Sequence, residues 1–149
     1  MFAAAPVKPT AASRATRGTR ALKRTLLNAK SIVYSKEGAS GAHMARLIER
    51  LGLTEEMRPR TVLETRSGQT AVAVVEGKAE LGFTLVSEIL PIAEAEFAGP
   101  LPPEPQAYVV FTVGIARNAK EAEAAKTFVN FFRTPAVLPV LKAKGMEPG

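Results

Sequence analysis

Apolar positions along this chain switch between a two-residue and a three-to-four-residue period. Short β-branched or alternating runs predict strands at residues 31–35, 61–64 and 80–85. Helical spacing lies between and around them. Over residues 19–29, Leu22, Leu26 and Ala29 share one face and the basic residues point away. From a Gly38–Gly41 loop to residue 51, Met44, Leu47, Ile48 and Leu51 fall at i, i+3, i+4 and i+7. After Ser67-Gly68-Gln69, Ala71, Val74 and Val75 turn inward. Gly52 and Gly77 supply the helix stops, and residues 86–90 form a short helical turn before Pro91. This alternation predicts an α/β fold, a three-layer arrangement with helices on both faces of a sheet. One unit recurs three times: strand, small polar loop, helix. Ligands of parallel α/β sheets gather at such turns, where unpaired N–H groups and the helix dipole point outward.

The carboxyl-terminal third reads differently. Gly99-Pro100-Leu101-Pro102-Pro103-Glu104-Pro105 holds four of the 11 prolines and predicts a stiff connector without regular structure. Residues 108–116 are the most hydrophobic stretch and predict a buried strand. Residues 120–133 predict an amphipathic helix with Ala125, Phe128, Val129 and Phe132 on one face. Residues 135–144 predict a last helix, weakened or kinked by Pro139.

Composition narrows the chemistry. The chain has 149 residues, enough for one domain or one lobe, and at 46% apolar and 23% charged it is globular. It has no Cys, no Asp and one His, His43. That excludes thiolate metal sites, aspartyl catalysis and most His relays, and favours a binding module over an enzyme; that no cofactor is needed is what the family resemblance given below implies. No run approaches the roughly 18 apolar residues of a membrane span. Charge is unevenly placed: residues 1–36 carry eight Lys and Arg and no acid, the remainder 12 against 14 Glu. Residues 1–21 are expected to be a basic tail without regular structure. Their Arg, Ser and Thr bias fits a transit peptide by composition, and no hydrophobic core of a secretory signal is visible. Action through this tail on a nucleic acid or an anionic membrane is the alternative function. Nucleic acid is disfavoured, because no aromatic residue lies between Phe2 and Tyr34 for base stacking.

The turn Ser35-Lys36-Glu37-Gly38-Ala39-Ser40-Gly41 has the form of an anion cradle: small residues, a hydroxyl, a lysine and a helix start. The same residues also describe an ordinary helix capped by Ser40. Ser67-Gly68-Gln69-Thr70 is a second helix start of the same kind, and two such turns at one sheet end would converge on one pocket. His43 reads as a partly packed side chain. A Ser40/His43 nucleophile pair at i, i+3 would have only Glu37 to orient it. Glu49, Glu55, Glu56 and Glu64 read as solvated surface charges, and Phe128, Phe131 and Phe132 as core or interface.

The ordered set Leu26–Gly52, Gly77-Lys-Ala-Glu-Leu-Gly82, Ser87-Glu-Ile-Leu-Pro91, Gly99-Pro-Leu-Pro-Pro-Glu104 and Lys142-Ala-Lys-Gly-Met-Glu-Pro-Gly149 resembles the second lobe of molybdate-type substrate-binding proteins of ABC importers, in the type 2 periplasmic binding protein superfamily. The resemblance spans about residues 22–149. It implies two α/β lobes joined by crossing strands that close on an oxyanion or small organic anion, a permease partner in the membrane, and a periplasmic location. By position, Ala39, Ser40 and Gly41 would form one amide cluster at the ligand, and Gly68 and Gln69 a second. Leu85 falls where some similar molybdate binders place a tyrosine that hydrogen-bonds the oxyanion, and leucine cannot do so. The family's first lobe has no counterpart, so a truncated copy with weak binding is expected. In it residues 108–116 would be a crossing strand, and the exposed C-terminal helices would favour self-association. An effector-binding lobe of a transcription regulator is a further alternative, but residues 1–30 are too short and interrupted for a helix-turn-helix.

Overall fold

The computed structural model describes residues 2–6, 18–66 and 68–147. The chain divides into two compact units, Met1–Tyr108 and Val109–Gly149. In the first, the described strands are β1 (Phe2–Pro6), β2 (Ile32–Ser35), β3 (Thr61–Glu64), β4 (Leu81–Leu85) and β5 (Gly99–Pro100), in the sheet order β3-β2-β4-β1-β5. β2 runs parallel to β3 and β4, with Ile32 opposite both Thr61 and Leu81. β1 is antiparallel to β4 and to β5.

Helices α1 (Thr19–Asn28), α2 (Ala39–Arg50), α3 (Thr54–Met57), α4 (Thr70–Val75) and α5 (Val86–Ile89) surround this sheet. Adjacent strand residues point to opposite faces. Val33 packs in a core cluster with Ala73, Val74 and Ala79 on the α4 side. Its neighbour Tyr34 lines a surface cleft with Ala45 and Ile48 of α2. Helices therefore cover both faces, as the alternating pattern predicts. The apolar stripe of α2 is buried at Met44, Leu47 and Ile48, and that of α1 at Leu22 and Leu26. Gly52, with φ of 66°, ends the α2 segment in a left-handed conformation that a Cβ would disfavour.

Basic residues hold helix ends in place. Lys23 Nζ donates to the Leu51 carbonyl at 2.7 Å. Arg60 Nη1 donates to the Leu27 and Ala29 carbonyls at 2.9 and 3.1 Å. Each neutralises carbonyls that a helix end leaves unpaired. Lys23 is thus a structural cation rather than part of a solvated basic head.

Several expectations are corrected. Residues 2–6 are not part of an unstructured tail: they form β1, a neighbour of β4, and α1 already begins at Thr19. Residues 7–17, where the rest of the expected tail falls, lie outside the described residues. The proline-rich connector contains β5, whose Pro100 sits at a sheet edge where a missing donor costs little. It is also tied down, by Thr19 Oγ1 to Glu104 Oε2 at 2.5 Å and by His43 Nε2 to the Pro105 carbonyl at 2.8 Å.

In the second unit, residues 109–116 are not a buried strand. They carry no strand pairing, and Val110 is 80% exposed. A β-branched run becomes a strand only when a partner satisfies its backbone, and none of the described strands pairs with it. Helices α6 (Ala122–Phe131) and α7 (Leu138–Ala143) follow. Pro139 does not kink α7, because it lies in the first turn, where its missing N–H is unneeded. Phe128, Phe131 and Phe132 are exposed and pack edge-on against one another, with Phe128 and Phe132 centroids 5.0 Å apart. They are not a buried core.

Candidate functional site

The three parallel strands end at Ser35, Glu64 and Leu85, on one edge of the sheet. The turns into α2, α4 and α5 leave from that edge. All six residues singled out from the sequence therefore fall there: Ala39, Ser40 and Gly41 at the start of α2, Gly68 and Gln69 before α4, and Leu85 between β4 and α5. The first two turns are linked directly, since the Lys36 amide donates to the Glu64 carbonyl at 2.8 Å.

The start of α2 is set by glycine, not serine. Gly38, with φ of 90°, is the N-cap, and no side chain caps the helix. Ser40 is thus corrected from a capping residue to a first-turn residue. Its hydroxyl is buried and lies 3.2 Å from that of Ser35. The first intrahelical bond runs from the Ala42 amide to the Gly38 carbonyl at 3.1 Å. The amides of Ala39, Ser40 and Gly41 therefore precede the hydrogen-bond ladder and stand at the positive end of the helix dipole. Gly41 is buried under Ser35: a Cβ there would lie 1.8 Å from the Ser35 carbonyl oxygen. The sequence needs glycine at this point so that the helix can press on the strand end.

The second turn is shaped by Gly68, with φ of 73°, and by Gln69, whose carbonyl takes the Ala73 amide at 2.8 Å. Glu64 is not a simple solvated charge. Its Oε1 accepts the amides of Thr65 and Arg66 at 3.1 and 3.2 Å. At the third turn Leu85 presents no polar group. The neighbouring Thr84 hydroxyl donates to the Glu88 carboxylate.

The sequence reading missed one feature. The buried polar residues among those described are Ser35, Ser40, Thr70 and Thr84. All four carry hydroxyls, and all four sit at strand ends or helix starts on this edge. The signal was available, since a Ser or Thr closing an apolar strand has to find a partner. Buried hydroxyls can donate to an anion and also accept from one another, so they bind a ligand without carrying charge themselves.

His43 does not serve Ser40. Its Nε2 is engaged by the Pro105 carbonyl. Burial lowers its pKa, opposed by that bond and reinforced by Arg46 and Arg50. The Ser40/His43 pair is therefore not assembled as a nucleophile and base. Tyr34, whose hydroxyl pKa is raised by burial, lines the cleft beside α2.

Residues 3–147 match the family described as bacterial extracellular solute-binding proteins. The chain belongs to this family. It is similar to an aconitate isomerase of a Pseudomonas species, 25% identical over 129 residues, which are 86% of this chain and 48% of that protein. It thus spans about half the length of that curated relative. Among solved structures it resembles the Azotobacter vinelandii periplasmic molybdate-binding protein, with a TM-score of 0.75, 20% identity, and 99% of this chain set on 64% of that one. It also resembles the substrate-binding domain assigned to a molybdenum ABC transporter of Clostridium difficile, with a TM-score of 0.69, 16% identity, and 99% set on 63%. These two likenesses show the fold.

Proposed function

We propose that this chain is a solute-binding component of an ABC import system, taking a small oxyanion or organic anion at the edge where β2, β3 and β4 end and delivering it to a membrane permease from the periplasm. The observation that carries this reading is the Ser35–Ser40 hydroxyl pair, buried at 3.2 Å beside the amides of Ala39, Ser40 and Gly41 that precede the helical hydrogen-bond ladder. Hydroxyls and amides together hold an anion by charge-assisted hydrogen bonds of about 1.5–3 kcal/mol each. Membership of a solute-binding family and the molybdate-binding protein among its structural neighbours support the same reading. It is a reading of binding, in keeping with a family of solute-binding proteins.

An organic anion is the second reading for the ligand. Leu85 supplies no hydroxyl, and the similar aconitate isomerase is named for a tricarboxylate.

Thermal unfolding with millimolar molybdate, tungstate, sulfate, phosphate or aconitate tests the reading. A ligand that binds only the folded chain raises Tm by mass action. The expected result is a rise with at least one anion that disappears in Ser40→Ala. A rise that survives in Ser40→Ala contradicts this placement of the site.

A further inference from the structure

We infer that residues 109–116 are a docking surface for a second copy of this chain: the run pairs antiparallel with its own counterpart about Thr112 and closes a two-fold dimer. The inference is independent of the anion-binding reading above.

The run has the composition of a strand, yet it stands open. Residues 110–118 are all exposed, with Val110 at 80%, Val113 at 70% and Phe111 at 64%. Among the described residues, no hydrogen bond joins the backbone of residues 109–115 to another segment. A Cβ on Gly114 would meet nothing within 4 Å. The run also holds no charge and no proline, the residues that commonly block pairing at an open strand. Its unpaired amides and carbonyls are completed by a second strand.

The alternation of side chains decides which strand fits. Val109, Phe111, Val113 and Ile115 fall on one face of an extended run, and Val110, Thr112, Gly114 and Ala116 on the other. In an antiparallel pair, residues directly opposite share a face. A two-fold axis through Thr112 sets Phe111 opposite Val113 of the second copy, and Val109 opposite Ile115. Both apolar faces then lie on the same side, in the aromatic and β-branched pairs that stabilise sheets. With the axis between Thr112 and Val113 instead, Phe111 meets Gly114 and Val113 meets Thr112, and the apolar face is split. The run is complementary to itself in one register.

The exposed surface suits a dimer. At their fractional exposures, the apolar side chains of this run and of Phe128, Phe131 and Phe132 in the same unit present roughly 700 Å². The largest apolar patch of an ordinary monomer is about 300–600 Å², and each partner in a stable interface contributes about 800 Å². A two-fold pair uses the same surface on both copies and closes at two.

The test uses the full chain. Sedimentation equilibrium between about 1 and 100 μM is expected to show a reversible monomer–dimer equilibrium of the 15.8 kDa chain. Val113→Lys places a charge in the paired face and is expected to raise the dimer Kd about tenfold or more. The chain has no cysteine, so Thr112→Cys carries a single thiol. Opposite residues of an antiparallel pair have Cα atoms about 4.5–5.5 Å apart, within disulfide reach. Mild oxidation is therefore expected to give a covalent dimer of Thr112→Cys and none of Val110→Cys, whose opposite residue is Gly114. A monomer at every concentration overturns the inference and leaves the run to a different protein. Association that continues beyond two copies overturns it, as does a dimer unaffected by Val113→Lys or cross-linking as readily at position 110 as at 112. If a variant does not fold, the wild-type mass and the remaining variants decide.

Discussion

A side chain on Gly41 would collide with Ser35, its Cβ coming to 1.8 Å from the Ser35 carbonyl oxygen. This contact brings the start of α2 against the end of β2 and sets the Ser40 hydroxyl beside that of Ser35. The site proposed for this chain depends on that closeness.

Gly41→Ala is expected to destabilise the fold by about 2–3 kcal/mol, because the obstructing atom is backbone and cannot swing away. Denaturant unfolding measures it. Gly114→Ala is the control: a Cβ there meets nothing within 4 Å, and no change beyond about 0.5 kcal/mol is expected.

Gly82→Ala tests the other face. A Cβ on this β4 residue would lie 2.7 Å from a Val74 methyl and 3.3 Å from a Thr70 methyl. The Val74 methyl belongs to a fully buried, χ1-stiff side chain that must shift, but the approach is less close than at Gly41, where backbone stands at 1.8 Å, so the expected cost is smaller, about 1–2 kcal/mol. The pairing of the two substitutions orders the tightness of α2 and α4 on the sheet.

Ser35→Ala and Ser40→Ala each leave one buried hydroxyl without its partner. Each is expected to cost about 1–2 kcal/mol, and the double variant less than the sum of the two. A double-mutant cycle showing additive losses would mean that the 3.2 Å contact contributes nothing to stability.

His43 predicts a pH dependence. Burial holds its pKa below the ordinary value of 6.5 in the folded chain, with Arg46 and Arg50 adding to the effect. Below that value the unfolded chain binds a proton that the folded chain resists. Stability is therefore complete above pH 6.5 and declines as the pH falls from there towards the folded pKa. Urea unfolding at steps between about pH 8 and pH 5 should show a steeper loss in the wild type than in His43→Gln.

The middle of the chain was legible because its periods are clean. β3 ends where the alternation ends, and α2 and α4 stop at Gly52 and Gly77. The edge that carries the candidate site followed from the repeated strand–loop–helix order alone. What escaped depends on distant partners. β1 is an Ala-rich run with no strand signature, and it pairs only because β4 offers an edge. Residues 109–116 have the signature but no described strand beside them, so composition without pairing misleads. Ser40 looked like a cap because capping is local chemistry, whereas its actual partner, Ser35, is fixed by how closely Gly41 lets the helix approach. Glu64 looked solvated because nothing local shows that its side chain turns back on its own amides.

The most direct test of the account is an amide-resolved NMR titration of the chain with inorganic phosphate. The predicted result is saturable shifts of the Ser40 and Gly41 amides, with smaller ones at Gly68 and Gln69. Saturable shifts confined to other parts of the chain, or none at Ser40 and Gly41 while other amides respond, would contradict the placement of the anion site at the α2 turn.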